Sequence, residues 1–338
     1  MNAKDFAVVV GINSYQDKTA FKDLEGPAND AAELIAWLKD PNGGGIPDEN
    51  IDPYVRLSGP GRDRPTSGDI VGLLRDLFTR DRAEDQPIGR RLYVFLAGHG
   101  FTNSVALSLL HAVETRRAAP AFVSGTQWLD CFQERALFDE LVLCMDCCRD
   151  YEPTFDPPGR PCTNQLDSAG NAVKRLYLLA TGIGKGAYEA DFNGTVHGYF
   201  SRALIDALRD DAIDGDGRMT AANVANAVRE KLEPAAAAGL NLFPDPVVTH
   251  GFVLFDNLTP RRTRVDVTLT DSTNTLELFA GDDDELQRPI PPIRTENGAF
   301  VFELPRGKTY LCLASNAAGR AVKKRLLVVK NAPIRLSV

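Results

Sequence analysis

Two apolar runs in this chain end in side chains capable of nucleophilic chemistry. Asp139-Glu-Leu-Val-Leu-Cys-Met-Asp146 leads into Cys147-Cys148-Arg149, and Arg91-Leu-Tyr-Val-Phe-Leu-Ala97 leads into Gly98-His99-Gly100. Runs of this kind read as buried strands, so their carboxyl ends offer a thiol and an imidazole. A thiolate attacks carbonyl carbon and an imidazole shuttles the proton, which is acyl-transfer chemistry that requires no metal. His99 lies 49 residues before Cys148. Cys147 competes for the role of nucleophile. Neighbouring strand residues face opposite ways, so one thiol of the two is expected to face His99. Cys144 reads as core packing, and Cys144-x-x-Cys147 lacks the second ligand pair of a zinc site.

These residues need a scaffold, and the flanking pattern supplies one. Phe6-Ala-Val-Val-Val-Gly-Ile12 is a β-branched run suited to the middle of a parallel sheet. Ala31, Leu34, Ile35 and Leu38 recur at helical spacing, with Asn29 as the expected cap and Pro41 with Gly43-Gly44-Gly45 as the stop. A short strand at Tyr54–Leu57 and a helix carrying Ile70, Leu73, Leu74, Leu77 and Phe78 on one face precede the strand that ends at His99. A helix over 125–136 precedes the strand that ends at Cys148. Arg175–Thr181 resumes the sheet, and 199–208 is helical. Such alternation predicts an α/β fold, a mostly parallel sheet flanked by helices on both faces, with ligands bound beyond the carboxyl ends of the strands.

A chain of 338 residues, 43% hydrophobic and 25% charged, has room for one sizeable core and a second unit. The net charge of -8 argues against nucleic acid or an anionic membrane as partner. No run approaches the about 18 apolar residues of a membrane span, and Asp5 interrupts the first apolar segment, so a cytoplasmic location is expected. The six cysteines fall mostly in one strand and its exit and are not spread as staples through loops, which suits a reducing compartment. A Gly-rich turn at Asp214-Gly-Asp-Gly-Arg-Met-Thr220 fails as a calcium loop, because Arg218 and Ala225 stand where oxygen ligands are needed. Thr220 caps the helix that follows, and Gly251–Phe255 is a last apolar strand. Beyond about residue 257 the period changes to alternation, as in Val265-x-Val267-x-Leu269 and Phe300-x-Phe302-x-Leu304, which predicts a small all-β sandwich of six or seven strands. The expected domains are therefore 1–256 and 257–338.

Across residues 5–255 the chain resembles the caspase-like cysteine peptidases, metacaspases and their bacterial homologues among them. Gly11-Ile-Asn-Ser-Tyr15, Leu24-Glu-Gly-Pro-Ala-Asn-Asp30, Gly98-His99-Gly100 and Asp146-Cys147-Cys148 carry the resemblance, with a looser fifth match at Ala187-Tyr-Glu189 and Gly198–Leu204. It implies Cys148 as nucleophile, His99 as proton shuttle, and the N–H groups of Gly100 and Cys148 as oxyanion donors. Asp146 and Asp30 match the acids that line the P1 pocket of metacaspases, which implies cleavage after Arg or Lys. Asp30 could equally be an acid in the first turn of a helix. Ala97 and Pro27 stand where metacaspases carry serine and cysteine, making the pocket less polar. The calcium-binding acids of that family have no counterpart after Gly100, so no cofactor is expected. The long polar loop at 150–173 occupies the place of family self-processing, with Arg160, Lys174 and Arg175 as candidate points. A regulated role in stress, immunity or cell death in a bacterium is implied, with a protein or peptide substrate. The alternative is an inactive scaffold that recruits a protein partner through the sandwich. His111, His197 and His250 are expected at the surface or at helix ends.

Overall fold

The computed structural model describes the chain except for residues 1, 60–62, 83–85, 105–106, 153–160, 163–167, 241, 243–244, 250, 257, 273, 282–288, 297–298, 319–320 and 330–332. In chain order the elements are β1 (Asp5–Gly11), α1 (Gly26–Lys39), β2 (Val55–Leu57), α2 (Ser67–Phe78), β3 (Gly89–Ala97), β4 (Gly100–Thr102), β5 (Leu109–His111), β6 (Phe122–Ser124), α3 (Gly125–Glu134), β7 (Phe138–Asp146), β8 (Asp150–Tyr151) and β9 (Lys174–Leu179). They continue with β10 (Glu189–Phe192), β11 (Thr195–Gly198), α4 (Tyr199–Asp206), β12 (Met219–Thr220), α5 (Ala221–Ala237), β13 (Asp245–Thr249) and β14 (Val253–Phe255). Two compact units result, one of residues 1–209 with 225–252 and one of 210–224 with 253–338.

The first unit is built on a six-stranded sheet in the order β13-β9-β7-β3-β1-β2, parallel except for β13. Its interior strands are buried on both faces, as their unbroken apolar sequences require. Phe6, Val8, Val10, Leu92, Val94, Leu96, Leu141 and Leu143 pack with Ile70, Leu73, Leu74 and Leu77 of α2 and Trp128, Leu129 and Phe132 of α3. α1 covers the opposite face, where a Cβ on Gly11 would lie 2.5 Å from the Pro27 carbonyl oxygen. Only glycine allows that approach. α1 begins at Gly26, earlier than the expected cap Asn29, because Pro27 presets helical φ in the first turn. The Glu189 carboxylate accepts the N–H groups of Glu25 and Gly26 in place of a local cap.

Three departures from the sequence reading concern strands. β13 was not expected; Pro246 is accommodated in it because the strand lies on an edge, where a missing N–H is tolerated. The run at 251–255 forms β14, which pairs with β12 outside the large sheet. A small sheet, β6-β5-β4-β8, and the hairpin β10-β11 fill the stretches that showed no clear period.

In the second unit, β15 (Arg262–Thr268), β16 (Thr275–Ala280), β17 (Arg294–Glu296), β18 (Ala299–Pro305), β19 (Thr309–Ser315), β20 (Ala321–Val328) and β21 (Ile334–Ser337) form two sheets, β17-β18-β15-β21 and β16-β19-β20. Val265, Val267, Leu278, Phe302, Leu304, Tyr310 and Cys312 fill the core between them. No helix among the described residues is long and apolar enough to cross a membrane. Cys131 of α3 and Cys162 are joined in a disulfide. Such a bond persists in oxidising surroundings, so the cysteine argument for a reducing compartment does not hold.

At the amino ends of the central strands the fully buried Arg91 guanidinium donates to Glu140 at 2.8 Å and to the Tyr93 hydroxyl at 2.9 Å. Removing one partner strands a charge in the core. Arg91→Met is expected to cost about 3–5 kcal/mol in denaturant unfolding, and Arg91→Met with Glu140→Leu to recover most of that loss.

Candidate active site

Strand register sets the level of the site. Gly11 pairs with Ala97, and Ala97 with Asp146, so β1, β3 and β7 release their chains side by side. β3 turns at Gly98, whose φ is +148° and where a Cβ would lie 2.6 Å from the Tyr15 hydroxyl. Glycine is required there. The turn presents His99, whose backbone N–H donates to that hydroxyl at 2.7 Å while the Tyr15 O–H points to the Ile12 carbonyl at 3.3 Å. Tyr15 and Phe21 pack on the imidazole at 4.9 and 5.8 Å.

His99 Nε2 lies 2.8 Å from the carbonyl oxygen of Lys22. A carbonyl can only accept, so Nε2 carries the proton and Nδ1 is the basic nitrogen of the neutral ring. Lys22 was not singled out from the sequence, since a main-chain acceptor leaves no mark on residue type. Burial lowers the His99 pKa, opposed by the Lys22 contact and by Glu189 and Asp23.

The two thiols at the end of β7 part ways. Cys147 is 1% exposed and lies beneath Gly100, where a Cβ would come within 2.7 Å of its sulfur. Cys148 lines the cleft together with His99. Its sulfur accepts the Ala187 N–H at 3.2 Å. Burial pushes both thiols above the ordinary cysteine value; at Cys148 the Ala187 N–H opposes the shift, and Asp150 and Asp146 add to it. The shifts at Cys148 and His99 both favour the neutral forms, a thiol and an imidazole.

Buried Arg149 fastens the loop that covers the nucleophile. Its N–H donates to Lys185, its carbonyl accepts from Gly184, and its guanidinium reaches the Thr181 carbonyl at 3.3 Å. The His111 N–H donates to the His99 carbonyl at 2.9 Å, making Gly100 and Leu110 a pair that does not exchange bonds directly. The Gly100 N–H therefore points away from β5, and Gly100 lines the cleft beside Cys148.

On one side of Cys148 a small pocket is lined by Pro27, Asp30, Asp146, Tyr188, Glu189 and Gly198. Asp30 and Asp146 are 1% and 7% exposed. Asp30 accepts from Gly198 N–H at 3.0 Å and meets His197 Nδ1 at 2.7 Å. Asp146 accepts from the Ser201 N–H and hydroxyl at 3.1 and 2.6 Å. Burial raises both carboxyl pKa values, and at Asp30 the charge of Asp146 adds to the effect. Glu189 is a third acid of the pocket. The sequence signal for it was the Ala187-Tyr-Glu189 stretch, read only as sheet completion.

Of the remaining expectations, Arg160 and His250 lie outside the described residues. Lys174 and Arg175 sit within β9, paired to β7 on one side and β13 on the other, so cleavage there would require the strand to leave the sheet. His111 is buried at 8% exposure, against the expected surface position, while His197 stands just before α4, at a helix end as expected, though buried at 6% exposure. His111 stacks on Phe101 at 4.6 Å and bonds Thr115, and burial takes its pKa down to about 4. Among the described residues no group of three or more metal-ligating side chains is gathered.

Comparison with known proteins agrees with this arrangement. The chain is 24% identical over 231 residues to a protein of a Desulfuromonadales bacterium named "Probable protease"; the match takes in 61% of this chain and 26% of that much longer relative. The family model for the caspase domain matches residues 4–244. A sheet of this order, with a thiol and an imidazole at the carboxyl ends of adjacent strands, and a family match over most of the chain place this protein in the caspase-domain peptidase family.

Proposed function

We propose that the protein is a cysteine endopeptidase that cleaves after arginine or lysine, with Cys148 as nucleophile and His99 as general base and acid. The observation that carries this reading is the shared cleft: Cys148 and His99 line it together, and three carboxylates line the pocket that opens beside the thiol.

As the Cys148 sulfur bonds to the scissile carbonyl carbon, its proton passes to His99 Nδ1. The Lys22 carbonyl holds the ring in the required tautomer. The carbonyl oxygen takes up negative charge against the N–H groups of Gly100 and Cys148. His99 then protonates the leaving amine, the C–N bond breaks, and water activated by the same imidazole hydrolyses the thioester. The Ala187 N–H that occupies the sulfur in the resting state must give way to substrate, which fits a latent enzyme. The chemistry calls for no metal, and the expectation of calcium independence stands as part of the proposal.

Buried carboxylates discriminate strongly by charge. A guanidinium or ammonium gains charge-assisted bonds to Asp30, Asp146 and Glu189, whereas a P1 aspartate would add a like charge to an acidic pocket and bring no cation to it.

Cys148→Ala is expected to abolish peptide hydrolysis, a loss of at least about 10⁴-fold in kcat, while Cys147→Ala keeps measurable turnover. Activity surviving the first change and not the second would exchange their roles. In a panel of fluorogenic peptides differing only at P1, arginyl and lysyl members should be cleaved equally with calcium or a chelator present. Asp146→Asn should lower kcat/KM for the arginyl peptide on the order of 100-fold. Turnover of an aspartyl peptide alone would overturn the specificity. Since burial lowers the His99 pKa and the ring must be neutral to accept a proton, the acid limb of kcat should lie below the ordinary histidine value.

A further inference from the structure

The acidic pocket contains an arrangement that bond cleavage does not use. Asp30 and Asp146 flank Gly198, where a Cβ would lie 2.1 Å from Asp146 Oδ2 and 3.3 Å from Asp30 Oδ2. Two carboxylates buried so close together do not both ionise without a cation between them, so the empty pocket retains a proton. A guanidinium or ammonium that enters must displace it. Asp30 is 1% exposed, and once a basic side chain fills the pocket it lines, it has no direct way to hand a proton to water.

His197 on β11 supplies the way out. Its Nδ1 lies 2.7 Å from Asp30 Oδ1, and its Nε2 faces Glu33 Oε2 at 3.7 Å. The Glu33 side chain is 21% exposed and is ion-paired with Arg202 and Arg209. The groups that face the ring are Asp30 and Glu33 from α1 and Arg202 and Asp206 from α4, with Phe192 of β10 at 6.3 Å. Asp206 is itself paired with Arg202 at 2.6 Å and Lys231 at 2.9 Å. Burial, aided by Arg202 and opposed by Glu33 and Asp206, lowers the His197 pKa. The ring is therefore suited to pass a proton on rather than to keep it.

We infer that His197 couples occupation of the P1 pocket to proton release: as a basic side chain enters, Asp30 gives its proton through the imidazole to Glu33 and then to water. The inference rests on the reading of this pocket as a cation site. The Asp30 O–H bond breaks as an Nδ1–H bond forms, the Nε2–H proton moves to Glu33, and Glu33 returns to carboxylate by losing it to solvent. The imidazole ends neutral, donating Nδ1–H to the Asp30 carboxylate. No co-reactant is needed.

Full-length Cys148→Ala protein titrated calorimetrically with an arginyl peptide amide at pH 7, in two buffers of different ionisation enthalpy, should release about one proton per peptide bound. Affinity should rise with pH up to the titration of Asp30. His197→Asn keeps an N–H donor on Asp30 but cannot relay; stopped-flow association of a fluorescent arginyl peptide should slow roughly 10-fold or more at neutral pH and converge with the parent protein at alkaline pH. If that variant does not fold, Glu33→Gln carries the same kinetic test. Arginyl peptide bound with no proton exchanged overturns this inference and leaves the P1 reading standing, as does unchanged association in the relay variant. Failure of arginyl and lysyl peptides to bind at all overturns both.

Discussion

The level at which three parallel strands end is the constraint on which the site depends. β1, β3 and β7 are held in one register by main-chain ladders and by burial on both faces, so Gly11, Ala97 and Asp146 form a row. From that row the chain delivers Tyr15 and Lys22, then His99, then Cys148. A slip of one residue in any strand would turn its side chains to the other face and separate thiol from imidazole. Catalytic groups must be held to within about half an ångström, and a buried sheet is the stiffest part of the molecule available to hold them. The glycines at 98 and 100 complete the arrangement by letting the backbone pass close to Tyr15 and Cys147.

Desolvation then shifts four ionisable groups at the centre of the cleft. It raises the Cys148 thiol, lowers the His99 imidazole and raises both Asp30 and Asp146. Each shift favours the neutral form. On the proposed reading the empty site is a quiet one, and charge would develop in it as a basic peptide brings a compensating cation. Pocket and dyad share the wall formed by Asp146 and Cys148, two residues apart on one strand end, so recognition and chemistry are joined through a rigid element.

The second unit obeys a separate logic. Its alternating strands bury one face of each sheet around Val265, Phe302 and Tyr310, a core with no residue in common with that of the large sheet. Alternation was plain in the sequence because one face of a strand such as β15 meets water, whereas β19 is buried on both faces. Much of the first unit was equally legible: the apolar runs ending at His99 and Cys148 showed both strand and exit, and the helical spacing of Ile70 to Leu77 showed the face that covers them. The short strands of the β6-β5-β4-β8 sheet were not legible, since strands of two or three residues carry too little pattern to separate from loop.

Residue types and their order were enough to mark the thiol and the imidazole, because each sits at the end of a strand with a strong local signature, whereas the acids at 30 and 146 were marked through the family resemblance. Which cysteine faces the cleft was decided only by the fold, which buries Cys147 under Gly100. The carbonyl of Lys22 behind His99, and His197 behind Asp30, likewise exist as partners only once distant segments meet. His197 is 167 residues from Asp30 in the chain, and no local pattern encodes a contact at that range. Its burial follows from β11 packing on α1, which sets a histidine of ordinary sequence context behind the pocket acid Asp30.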